Sequence, residues 1–123
     1  MNTEFEYYTN TEYEDFAIIP KCLFTEQRFK SLSYGAKLLY ALMLDRMSLS
    51  VRNGWVDKEG RTYIYFTVEC VMEYFGIGKN KSIKLFKELD TEDGCGLIYK
   101  EKQGMGRPIR IYVMDCARLR ECG

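Results

Sequence analysis

Lys79, Lys81, Lys84 and Lys87 fall within ten residues that contain no acid, with Asn80 and Ser82 between them. On a helix, spacings of three and four put Lys81 and Lys84 on one exposed face and Asn80, Lys84 and Lys87 on the adjoining one. A helix in the major groove offers its N-terminal half to base edges, where lysines meet phosphates or guanine acceptors and an amide such as Asn80 reads adenine. These six residues form a candidate recognition helix over 78–89. A second basic group, Lys100, Lys102, Gln103, Arg107 and Arg110, surrounds Gly104 and Gly106. Arginine on such a flexible tip can enter a narrow minor groove or clamp phosphate. Either group alone is a common solvated surface, so the reading rests on the two together.

Other chemistry is poorly provided for. The chain has no histidine, so Ser-His and Cys-His nucleophile pairs cannot be assembled, and a zinc site would need four of five scattered cysteines. Neither G-x-x-x-x-G-K-[ST] nor G-x-G-x-x-G occurs to cradle a phosphate. No enzymatic activity, metal or cofactor is therefore expected. Cys22, Cys70, Cys95, Cys116 and Cys122 are odd in number and form no C-x-x-C, which predicts free thiols.

The basic groups need elements to hold them. Ser33 is a suitable N-cap for a largely apolar helix to about Met47. Trp55-Val56, a turn over 57–60 and the run Thr62-Tyr63-Ile64-Tyr65-Phe66 read as a hairpin or a turn into one strong strand. Thr67 caps a helix whose stripe is Val68, Val71, Met72 and Phe75, and Gly76 suits its left-handed end. Another helix follows Ile77-Gly78 at once, which is a helix-turn-helix. Strands over 97–102 and 108–113 flank the glycines. Helix, strand, helix, turn, helix, strand, wing, strand is the order of an α+β winged helix-turn-helix.

The chain has 123 residues, 46% of them hydrophobic, which fits one domain with its own core. Its division is an N-terminal arm and connector (1–32), a winged-helix DNA-binding domain (33–114) and the start of a linker (115–123). Eighteen basic and eighteen acidic residues cancel, yet Glu4, Glu6, Glu12, Glu14 and Asp15 precede any Lys or Arg, so the molecule is dipolar. Alternating aromatics make this stretch an extended arm, which phosphate repulsion keeps away from the DNA face. Tyrosine and phenylalanine favour protein contacts, and a strand-like arm can pair with a neighbour. Phe5, Tyr7, Tyr8 and Tyr13, with Tyr40 from the apolar helix, are the candidate homodimer contacts. The surplus apolar surface also admits a dimer of dimers. No stretch reads as a membrane span or signal peptide, so the expected location is the cytoplasm.

Several ordered motifs resemble the replication initiator protein A N-terminal family of theta-replicating plasmids from Gram-positive bacteria. They are Phe16-Ala17-Ile18-Ile19-Pro20 with Lys21-Cys22-Leu23-Phe24, Ala36-Lys37-Leu38-Leu39-Tyr40, and Asn53-Gly54-Trp55-Val56-Asp57. Lys87-Glu88-Leu89-Asp90 and Gln103-Gly104-Met105-Gly106-Arg107-Pro108 continue the match. The resemblance implies dimeric, sequence-specific binding to repeated origin sites (iterons) as the first step of replication. It also implies a separate C-terminal domain, outside this sequence, that contacts host replication proteins. A winged-helix transcriptional regulator, or a winged helix used only for protein contact, would share the same elements.

Overall fold

The computed structural model describes residues 16–117. Helix α1 (Cys22–Thr25) and a single 3-10 turn (Gln27–Phe29) lead into the long α2 (Tyr34–Asn53), followed by α3 (Val68–Phe75) and α4 (Lys79–Leu89). Strands β1 (Ile98–Glu101) and β2 (Arg110–Val113) close the chain as an antiparallel pair. Ile98 stands opposite Val113 and Glu101 opposite Arg110.

Helix α2 is the spine. Ser33 caps it by accepting the Ala36 N–H at 3.1 Å, and Ala36, Leu39, Tyr40 and Met43 are fully buried along it. The helix continues beyond Met47 to Asn53 and ends at Gly54 in the left-handed region. Residues 48–53, a mix of serine, leucine, valine, arginine and asparagine, extend it past Met47, since none of them interrupts a helix until a residue able to take positive φ is reached.

The core reaches back before the expected boundary at residue 33. Leu23 and Phe29 are fully buried in the same apolar cluster as Leu39, Ile64, Leu89 and Ile98. Cys116 belongs to that cluster as well, so the segment after residue 114 is also partly core. Cys22 and Cys116 are joined as a disulfide, which corrects the free-thiol expectation for these two. Cys70 and Cys95 are free, and Cys122 lies outside the described residues.

The run 62–66 contributes less regular structure than its β-branched and aromatic content suggests. Ile64 exchanges both backbone hydrogen bonds with Ile111 at 2.9 Å, and Val56 bridges Thr62. It is a third strand reduced to its bridges, with Ile64 turned into the core and Tyr63 and Tyr65 outward.

Thr67 caps α3 by accepting the Cys70 N–H at 3.1 Å. Gly76 ends it at φ 62°, a conformation that a side chain would strain. Three residues later, at Lys79, α4 begins. An isolated helix of this length is marginal in water, so α4 depends on burying Phe86 and Leu89, each worth about 1.5–3 kcal/mol. After α4 the chain doubles back so closely that a Cβ at Gly94 would meet the Glu88 carbonyl oxygen at 2.1 Å. Among the described residues, no helix is long and apolar enough to cross a membrane.

Candidate nucleic-acid interface

Helix α4 sorts its side chains by depth. Ser82, Phe86 and Leu89 are buried, while Lys79, Asn80, Lys81, Lys84 and Lys87 are exposed. At 3.6 residues per turn, Asn80, Lys84 and Lys87 fall on the side opposite the buried stripe. Ser82 leaves the recognition set: it is fully buried, and its hydroxyl donates to the Gly78 carbonyl at 2.9 Å.

The N-terminus of α4 carries no acid in its first turn and no side-chain cap. Its free backbone N–H groups and the positive end of its dipole, with the exposed Lys79 and Lys81 in the same first turn, favour anions.

The wing expected over 103–110 runs from just after β1 to the first residue of β2. Gly104 and Gly106 both take positive φ, and Arg107 N–H closes the turn onto the Gly104 carbonyl at 3.3 Å. Lys102 and Arg107 are exposed and form no ion pair among the described residues. The other three expected wing contacts have structural partners. Gln103 Nε2 donates to the Pro108 carbonyl at 2.7 Å and to Tyr65 Oη at 3.4 Å, clamping the hairpin. Lys100 pairs with the buried Asp90 at 3.5 Å. The Arg110 guanidinium lies 4.4 Å above the Tyr63 ring, on the outer face of the sheet. Of the expected contacts, Lys79, Lys81, Lys84 and Lys87 on α4, with Lys102 and Arg107 on the wing, have no ion pair among the described residues.

Helix and wing flank one cleft. A cavity of about 330 Å³ is walled by Phe66, Ile83, Phe86, Ile109 and Ile111, and Lys87 from α4 and Lys100 from β1 also line it. Helix α4 and the base of the wing therefore meet at one cleft. Sequence spacing locates each basic group but not this juxtaposition, which depends on Ile64 pairing with Ile111.

Two partner assignments escape the sequence. Glu88, on the helix with the lysines, binds Ser33 at the start of α2. Asp57 accepts Tyr112 Oη at 2.9 Å and Arg61 Nε at 2.9 Å, so the turn 57–61 is fastened to β2. Partial burial pushes the Asp57 carboxyl up. Donors from Arg61, Tyr112 and Glu59 outweigh that and hold it at about 2.

Of the candidate dimer contacts, Phe5, Tyr7, Tyr8 and Tyr13 lie outside the described residues. Tyr40 is fully buried within its own chain, donating to the Met114 carbonyl and accepting the Cys116 N–H at 3.0 Å. Burial pushes its phenol up to about 12 against the opposing Cys116 hydrogen bond. It is a core residue, not an interface residue.

A family model described as the replication initiator protein A (RepA) N-terminus matches residues 15–121. A "41 kDa protein" of Lactobacillus helveticus is 31% identical over 113 residues, covering 87% of this chain and 31% of that protein. The chain thus spans about a third of that relative's length. A solved structure described as the N-terminal domain of a DNA binding protein superposes with TM-score 0.72 and 32% identity, covering 93% of this chain and 85% of that one. A Rep-DNA complex superposes with TM-score 0.70 and 36% identity, covering 83% of this chain and 76% of that one. An MDR initiator does so with TM-score 0.67 and 34% identity, over 83% and 78% of the two chains. With the family match running through nearly its whole length, the chain belongs to the replication initiator protein A N-terminal family.

Proposed function

We propose that this chain binds double-stranded plasmid-origin DNA sequence-specifically, as the recognition step of replication initiation. Helix α4 enters the major groove, with Asn80, Lys84 and Lys87 toward the bases and Lys79 and Lys81 toward phosphate. The wing lays Lys102 and Arg107 on the adjoining backbone or minor groove. The observation that carries this reading is the shared cleft, since Lys87 of α4 and the base of the wing line one cavity. The likeness to a Rep-DNA complex supports it.

The same reading places two copies on repeated sites. Its support is an apolar groove that includes Ile19, Leu38, Leu42 and Tyr74 and is lined by none of the lysines. Ile19, Leu38 and Tyr74 are exposed large apolar residues there, the kind of surface that marks a protein contact. The role is one of binding rather than catalysis, in the cytoplasm. Contact with host replication proteins falls to regions of such initiators outside the matched segment.

Selection from a randomised duplex pool followed by footprinting on origin DNA tests the proposal. Tandem direct repeats protected at regular spacing are expected. A single palindrome would point instead to a transcriptional regulator, and no enriched sequence to a domain that contacts only protein.

A further inference from the structure

Glu88 sits on the recognition helix, where an acid opposes phosphate. Its position has a structural explanation. One carboxylate oxygen accepts the Ser33 backbone N–H at 2.8 Å, and the other accepts the Ser33 hydroxyl at 2.6 Å. Ser33 is at the same time the N-cap of α2, accepting the Ala36 N–H. A single carboxylate thus ties α4 to the capped end of the spine helix through two charge-assisted bonds.

A second contact lies alongside. Leu85, three residues earlier on α4, packs against Gly35, where an added Cβ would stand 2.9 Å from Leu85 Cδ2. Helix α4 is therefore held on one flank by Glu88 on Ser33 and Leu85 on Gly35. Its other flank, with Ile83 and Lys87, faces the cleft beneath the wing. The apolar contact sets how near the helices approach, but a leucine tip slides easily. The bidentate carboxylate fixes the roll of α4 about its own axis.

Roll decides which side chains meet the bases. Recognition side chains must be held to within about 0.5 Å and 10–20° to be productive. Phosphate contacts from long lysines tolerate far more, because they carry charge and no sequence information. Resting on the DNA-binding reading above, we propose that Glu88 is a positioning residue for base recognition: its clamp on Ser33 orients Asn80, Lys84 and Lys87 in the groove. Discrimination between sequences depends on it, and general affinity for DNA does not.

The test measures affinity for two probes, a duplex enriched from a randomised pool by the wild-type chain and poly(dI-dC), with thermal unfolding followed on the same samples. Glu88→Ala lowers the ratio of the two affinities by roughly tenfold, the scale of one or two lost base contacts. Its affinity for poly(dI-dC) stays level or rises. Glu88→Gln, which keeps the shape and an acceptor for the Ser33 N–H, recovers most of the ratio. Glu88→Asp, which keeps the charge but is one methylene too short, does not. This pair carries the test if the alanine variant fails to fold. A selective wild type whose three variants are equally selective overturns the positioning role and leaves the DNA-binding reading standing. Recovery by Asp but not Gln overturns it in favour of a plain charge effect. A wild type that binds neither probe overturns both.

Discussion

The carboxamide of Gln103 donates to the carbonyl oxygen of Pro108 at 2.7 Å, closing the wing from one side to the other beneath its tip. The same nitrogen reaches the phenol of Tyr65, so the wing is also fastened to the residues bridging to β2. Under the proposed function this clamp presents Arg107 to DNA, in a hairpin whose glycines would otherwise leave the tip free to sample many conformations.

Gln103→Ala is predicted to weaken DNA binding several-fold while lowering stability by only about 0.5–1.5 kcal/mol, the net worth of a hydrogen bond in an exposed loop. Fluorescence anisotropy on an origin duplex, beside thermal unfolding, checks this. Loss of stability with affinity unchanged would mean that the tip does not touch DNA.

Asp57 predicts a pH dependence. Its folded carboxyl is held at about 2, below its ordinary 3.8, so it stabilises the fold above the ordinary value and loses that contribution as pH falls toward 2. Asparagine cannot titrate. The difference in urea midpoint between wild type and Asp57→Asn should therefore be constant above about pH 5 and shrink steadily from about pH 4 to pH 2. A difference that stays flat through that window contradicts the role given to the donors around Asp57.

Tyr40→Phe removes a hydroxyl that satisfies both the Met114 carbonyl and the Cys116 N–H. Leaving two backbone groups without their partner should cost about 1–3 kcal/mol and lower the melting temperature by several degrees. Sedimentation should show the oligomeric state unchanged at fixed concentration. A shift toward monomer in a variant that melts like wild type would return Tyr40 to an interface.

The helix-turn-helix was legible because its signals are local. Thr67 as cap, the stripe of Val68, Val71 and Met72, and Gly76 at positive φ each act within one turn of chain. The lysines of α4 were legible as exposed for the same reason. Burial that depends on distant partners was not. Nothing near Leu23 or Phe29 announces that they enter the α2 core. Nothing near Lys100 or Arg110 announces that Asp90 and Tyr63 take them up. Of the eleven expected DNA contacts, those withdrawn or reassigned are ones whose partners lie across the fold, apart from Ser82 and Gln103. For Ser82 the helical stripe already places it inward, and Gln103 closes onto Pro108 within its own hairpin.

Salt dependence tests the central claim most directly. Lys79, Lys81, Lys102 and Arg107 meeting four phosphates would give a slope of log affinity against log salt of roughly −4 on duplex DNA, at about −0.9 per phosphate. Lys81→Ala should reduce the magnitude of that slope by about 1, and Lys84→Ala should relax sequence preference with the slope retained. Those are the results expected when α4 and the wing bind together. A wild-type affinity that does not change between low and physiological salt would contradict a DNA-binding role for this face of the molecule.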